Sequence, residues 1–202
     1  MPKKETTART ADMEIVFIVD KSGSMGGLES DTIGGFNAML KEQQALPGNV
    51  MITTVLFDHE YELLHDRIDI HSVSPMTDDD YQVRGNTALL DAIGKTIHRV
   101  RDSQKPIKEE LRGKALFFII TDGQENASRE FSYKKVKELI DHQKGKHGWE
   151  FIFMGANIDE IGEAAKMGID AANAFNYTAD AKGLMHVWGF VGAVSTAHRN
   201  RK

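Results

Sequence analysis

The chain has 202 residues, 41% of them hydrophobic and 27% charged, with a formal net charge of -5 at pH 7 and no cysteine. That length and apolar content suit one globular unit with a sizeable core, and the dispersed basic residues suggest neither a nucleic-acid-binding stripe nor a polyacidic tail. The lack of cysteine excludes disulfides and thiolate metal sites and fits a reducing, cytoplasmic setting.

Residues 1–10 are polar throughout and read as a disordered lead-in without the apolar centre of a signal peptide. Residues 11–202 read as a single folded domain. Met13–Val19 is a continuous apolar run of strand length, followed by a helix-period segment over Leu28–Leu46 and a second strand over Val50–Phe57. Only "DHE" separates that strand from Tyr61–Ile70, too little for a crossover helix, so the pair is expected to be an antiparallel hairpin. The charged Glu62, His65, Asp66 and Asp69 mark Tyr61–Ile70 as an edge strand, and the apolar Met13–Val19 is expected at the centre.

A helix over Ala88–Arg101 then leads to a strand over Ala115–Thr121 and a helix over Tyr133–His142. A strand over Trp149–Met154, a helix over Ile158–Met167, a short strand over Ala174–Tyr177 and a closing helix over Ala181–His198 complete the pattern. "HQKGKH", His142–His147, reads as a basic helix end capped by Gly145. The apolar stretch Leu184–Val194 is broken by His186 and falls short of the roughly 18 residues of a membrane span, so no membrane partner is expected. The alternation predicts an α/β fold: a Rossmann-like open sheet, mainly parallel with one antiparallel edge strand, and helices on both faces.

Ligands of open α/β sheets gather beyond the carboxyl ends of the strands. Three segments at that edge carry hard oxygen donors: "DKSGS" (Asp20–Ser24), "GNT" ending at Thr87, and "TDG" around Asp122. With Asp20, Ser22 and Ser24 at alternate positions, an extended loop can aim all three at one point, and Gly23 lets the backbone approach closely. Carboxylates and hydroxyls suit magnesium, manganese or calcium rather than softer metals.

These three segments, in this order, resemble the metal-ion-dependent adhesion site of the von Willebrand factor A (vWA) domain, and the element order resembles that fold over nearly the whole chain. The resemblance implies direct hydroxyl ligands from Ser22 and Ser24, a direct or water-bridged one from Thr87, and Asp20 and Asp122 acting mostly through water or hydrogen bonds. Gly23, Gly123, Glu125 and Asn126 are assigned supporting places. It further implies a Mg2+ or Mn2+ site, with Ca2+ as a third candidate, that binds an acidic residue of another protein without catalysis. In the small intracellular bacterial type, that partner is an ATPase or a stress-response component.

Asp20–Ser24 taken alone reads equally well as a capped turn. An EF-hand loop fails because Met25 stands at the glycine position. A magnesium-dependent phosphate-ester hydrolase remains the alternative function, using the same cation as a Lewis acid, although Ser22 stands where a haloacid-dehalogenase-type enzyme needs a second acid. "IGKT" (Ile93–Thr96) lacks the first glycine of a phosphate loop and falls mid-helix. His59, His65 and His71 read as surface histidines. Met25 and Leu28 are candidates for an apolar rim, with Leu28 the better candidate for a core position.

Overall fold

The computed structural model describes residues 10–201. All but the last residue of the expected lead-in lies outside the described residues. Six strands, β1 (Met13–Asp20), β2 (Val50–Phe57), β3 (Tyr61–Asp69), β4 (Lys114–Thr121), β5 (Glu150–Gly155) and β6 (Ala174–Asn176), form one sheet in the order β3-β2-β1-β4-β5-β6. Four α-helices lie between them, α1 (Glu29–Gln44), α2 (Leu89–Gln104), α3 (Tyr133–His147) and α4 (Glu160–Lys166), and α5 (Ala181–Arg199) follows β6.

β1 is interior and every one of its eight residues is buried. It pairs in parallel with β2 on one side and β4 on the other, with Val19 opposite both Leu56 and Ile120. A strand covered on both faces needs side chains that lose nothing by leaving water on either side, which is why β1 is apolar from Ile15 to Val19, between the buried carboxylates of Glu14 and Asp20. β3 is the antiparallel edge strand, as its charges and its three-residue link to β2 require. The β2–β3 register shifts around Thr54, and Arg67 adopts φ 50° where the strand is re-aimed. That bend brings the Arg67 guanidinium to Glu14 of β1 at 3.0 Å, where Gln104 also donates at 2.9 Å.

The sheet separates two apolar layers. On one face Phe36 of α1 stands edge-on to Phe17 of β1 and to Trp188 of α5, each with ring centroids 5.5 Å apart. On the other, Leu90, Ile93 and Ile97 of α2, Val136 and Ile140 of α3 and Ala164 of α4 cover Val16, Ile18, Phe117 and Phe151.

Three sequence expectations are corrected. His65 is not at the surface: it is buried on β3, stacked on Phe36 with ring centroids 6.2 Å apart, and burial lowers its proton affinity. Helix α3 runs through Gly145 to His147, and its left-handed cap is Gly148, at φ 62°, whose amide closes onto the carbonyls of Gln143 and Lys144. Met25 is no rim residue, being fully buried in the α1–α5 layer.

Two adjacent glycines in α1 offer a test of this packing. A methyl group at Gly34 meets nothing within 4 Å, whereas one at Gly35 stands 2.1 Å from Trp188 Cδ1. Gly34→Ala is expected to stabilise the fold by about 0.5–1 kcal/mol through backbone entropy. Gly35→Ala is expected to destabilise it by about 1–3 kcal/mol by forcing α1 off Trp188. Urea denaturation of the two variants checks the opposite signs.

Candidate metal centre

All three oxygen-bearing segments reach the carboxyl edge of the sheet. Asp20 ends β1, Asp122 follows β4, and Thr87 lies two residues ahead of α2. A row of hydrogen bonds connects them: Thr87 Oγ1 donates to Ser22 Oγ at 3.0 Å, Ser22 Oγ lies 3.2 Å from Ser24 Oγ, and Ser24 Oγ donates to Asp122 Oδ1 at 2.5 Å. Ser22, Thr87 and Asp122 are buried and Ser24 is exposed, so the row meets solvent at Ser24.

The loop that carries the serines is not extended. Gly23–Met25 forms a single turn of 3-10 helix, closed by the Met25 amide on the Ser22 carbonyl at 3.0 Å. The turn brings Ser22 and Ser24 side by side, and Asp20 is used differently from them. Its Oδ1 accepts the Ser22 amide at 2.7 Å, its Oδ2 accepts the Thr121 hydroxyl at 2.5 Å, and its backbone carbonyl accepts the Tyr81 hydroxyl at 2.5 Å. Burial outweighs the hydrogen bonds from Thr121 and Ser22 and pushes the Asp20 carboxyl up to about 6. Burial raises Asp122 as well, against the bond from Ser24.

Glu125 and Asn126 brace the loop of Thr87. The Thr87 amide donates to Asn126 Oδ1 at 3.0 Å and the Thr87 carbonyl accepts the Asn126 amide at 3.0 Å, so Asn126 holds both backbone polar groups of Thr87. Glu125 accepts from the amides of Leu90, Ala127 and Ser128 and from the Ser128 hydroxyl, at 2.7–3.0 Å, tying its own loop to the start of α2. Gly23 donates its amide to the Gly85 carbonyl at 3.0 Å. At Gly123 a Cβ would stand 3.2 Å from Ser24 Oγ and 3.3 Å from Thr87 Oγ1, so glycine keeps the two hydroxyls uncrowded. Sequence reasoning missed Tyr81 and Thr121; Thr121 sits in the "TDG" segment, but nothing local marks Tyr81.

The donors suit a hard cation. They are hydroxyls and carboxylates, and Asp122 Oδ2 is buried with no hydrogen-bond partner, a cost that a cation beside it would offset. A separate group, Asp58, His59 and Glu60, can bring three ligand atoms within 4.8 Å of one another just beyond β2. Its carboxylates are already held by Arg84: Asp58 Oδ2 accepts from Nε at 2.9 Å, and Glu60 pairs with Nη2. At the rim, Lys21 pairs with Glu62 at 2.5 Å.

No family model and no curated protein matches the chain. Solved structures do. The vWF domain of the type V pili tip protein Mfa5 from Porphyromonas gingivalis is 12% identical, with a TM-score of 0.61 over 96% of this chain and 98% of that one. The fold is vWA-like. At such low identity the likeness extends to the fold alone. The pilus adhesin SpaC from Lactobacillus rhamnosus GG, in an open conformation, has a TM-score of 0.69 at 11% identity, over 95% of this chain and 31% of that one. Proximal thread matrix protein 1 from the mussel byssus, described with a zinc-occupied MIDAS motif, is 17% identical with a TM-score of 0.62; it matches 92% of this chain, which spans 46% of its length. Among the described residues of this vWA-like chain, no helix is long and apolar enough to cross a membrane.

The bracing network yields a ranking. Glu125→Ala leaves three amides and a hydroxyl without their acceptor and is expected to cost about 2–3 kcal/mol, against about 1 kcal/mol for Asn126→Ala, which loses a single side-chain bond. Urea denaturation without added metal measures both. Equal losses would contradict the unequal roles of the two side chains.

Proposed function

We propose that this chain binds a divalent cation through Ser22, Ser24 and Thr87, with Asp20 and Asp122 behind them, and uses that site to dock an acidic residue of another protein. Residues 11–202 act as one such domain. The observation that carries this reading is the row of hydroxyls ending at Asp122, whose second oxygen is buried and unpartnered. When bound, the cation would supply an open coordination position for a carboxylate oxygen. Ser22, Ser24 and Thr87 hold neutral oxygens towards that position, so they leave the attraction for an incoming anion largely uncompensated. Asp20 fixes the Ser22 amide and the end of β4, and Asn126 fixes Thr87.

This role is that of an adaptor rather than an enzyme. The hydrolase alternative needs a free attacking carboxylate or a positioned base, and Asp20 has both oxygens engaged and no exposed surface. The all-oxygen donor set favours magnesium or manganese, with calcium next. Zinc belongs in the same comparison, because the mussel-byssus neighbour is described with zinc in its motif. The resemblance to small intracellular bacterial vWA proteins suggests an ATPase or a stress-response component in the cytoplasm as the partner.

Two experiments test the reading. Millimolar magnesium or manganese is expected to raise the unfolding temperature, since a ligand specific to the folded state stabilises it by mass action. Protonation of Asp20 below about pH 6 removes a negative charge behind the ligands and weakens the hold on the cation. Metal affinity is therefore expected to be about tenfold weaker at pH 5 than at pH 7.5. An increment that is absent, or the same at both pH values, contradicts the site. In affinity capture from the native cell, Ser22→Ala with Ser24→Ala is expected to abolish magnesium-dependent, chelator-sensitive binding while leaving the fold intact. A well-folded double variant that captures partners as the parent does would refute metal-mediated docking.

A further inference from the structure

The opposite pole of the molecule carries chemistry that the metal centre does not use. The carboxyl ends of α2 and α3 meet the start of β4 there, roughly 23 Å from the hydroxyl row, the length of β4 at about 3.3 Å per residue. Two adjoining cavities of about 180 and 140 Å3 open between them and share Arg112, Lys146 and His147 in their walls; the larger also takes in Arg101, Lys105 and Gln143, and the smaller the carboxylate of Glu109. We propose that this pole is a binding site for a phosphate group, held by Arg101, Arg112 and Lys146 over the buried amide of Gln143.

Charge is the first argument. On a chain of net charge -5, four cations line the larger cavity: Arg101, Lys105, Arg112 and Lys146. Arg101 and Lys105 share the single carboxylate of Asp102, at 2.9 and 2.8 Å. Arg112 donates only to the carbonyls of Ile107 and Lys105, at 2.9 and 3.3 Å, and among the described residues neither it nor Lys146 has a carboxylate partner. Basic residues in a last helical turn ordinarily offset the helix dipole, but two helix ends present only about half a negative charge each. Burial first, and then Lys146 and Arg112, disfavour the charged form of His147, while Glu109 favours it, so the cations outweigh the one carboxylate there.

Gln143 is the second argument. It has no exposed surface, and neither its Nε2 nor its Oε1 has a hydrogen-bond partner. Such an orphaned donor–acceptor pair in a cavity wall calls for a ligand that both accepts and donates. A phosphate group fits: an unprotonated oxygen accepts from Nε2 and from the cations, while a P–OH donates to Oε1. Sulfate at neutral pH has no proton to give, and chloride has neither feature. The basic "HQKGKH" segment, which the metal centre leaves unused, supplies Gln143, Lys146 and His147 to this site.

Titration calorimetry at pH 6.5 with inorganic phosphate, sodium sulfate and glycerol phosphate, against sodium chloride at matched ionic strength, tests the proposal. Phosphate is expected to bind several-fold more tightly than sulfate, and chloride to give no saturable signal. Tighter binding of glycerol phosphate than of inorganic phosphate would identify a phosphoester as the ligand, and the reverse would identify the free anion. The double variant Arg101→Gln with Lys146→Gln, both at side chains that hold no loop in place, is expected to lose at least tenfold in phosphate affinity. Its magnesium-induced shift in unfolding temperature should be unchanged, which separates this site from the metal centre. Gln143→Leu is expected to erase the preference for phosphate over sulfate without unfolding the chain. A phosphate signal matched by chloride, equal affinity for phosphate and sulfate, or a folded double variant of parental affinity would each overturn the proposal.

Discussion

The buried carboxylate of Asp20 is the constraint around which the carboxyl edge of the sheet is organised. It sits at the end of the central strand and spends its two oxygens on different elements, the Ser22 amide in its own loop and the Thr121 hydroxyl at the end of β4. Its backbone carbonyl takes a third partner, the hydroxyl of Tyr81 from the long connection between β3 and α2. Strands β1 and β4 are already locked in register by their ladder. The Asp20 bonds extend that register past the strand ends, so the loop bearing Ser22 and Ser24 is tied to the end of β4, one residue before Asp122. A charge with no exposed surface is costly to keep, and the raised proton affinity of Asp20 records that cost.

Thr87 arrives by a longer route and needs its own supports. The neighbouring Ala88 amide is tied to the Asp58 carbonyl beyond β2, and Thr87 itself is clamped by Asn126 from the loop after β4. Glu125 fastens the same loop to the first turn of α2, and Asp91 accepts the amides of Arg129, Glu130 and Phe131 a little further on. The three segments are therefore cross-braced by backbone donors more than by side-chain packing. Such an arrangement suits an edge where small hydroxyls must be held without an apolar core beneath them.

The other end of β1 repeats the theme with different chemistry. Glu14 is buried there, its proton affinity raised by burial, against Arg67 and Gln104, which donate to it. Reaching it requires the bulged register of β3 and the left-handed backbone at Arg67. A buried pair of this kind adds little net stability, but it matches only one alignment of the edge strand with the sheet. The central strand thus carries a carboxylate near each end, one pairing it with the edge and one organising the loops of the candidate site.

Much of this was written in local sequence pattern. Continuous apolar runs specify buried parallel strands, the three-residue "DHE" link forces a hairpin, and the charges on Tyr61–Ile70 mark an edge, because each depends only on which faces must leave water. The small oxygen residues of the candidate site were legible for the same reason: strand ends are where such groups can converge. What the sequence could not decide depends on partners distant along the chain. His65 has the spacing of a surface histidine, yet the bulge in the β2–β3 ladder turns it beneath Phe36. Gly145 and Gly148 are equally able to end a helix, and only the carbonyls left free at Gln143 and Lys144 select the second. Tyr81 carries no local signal because its hydroxyl is needed only where the third segment passes over Asp20. The cations of α2, α3 and the start of β4 are dispersed in the sequence and gather at one pole only once the helices are laid against the sheet.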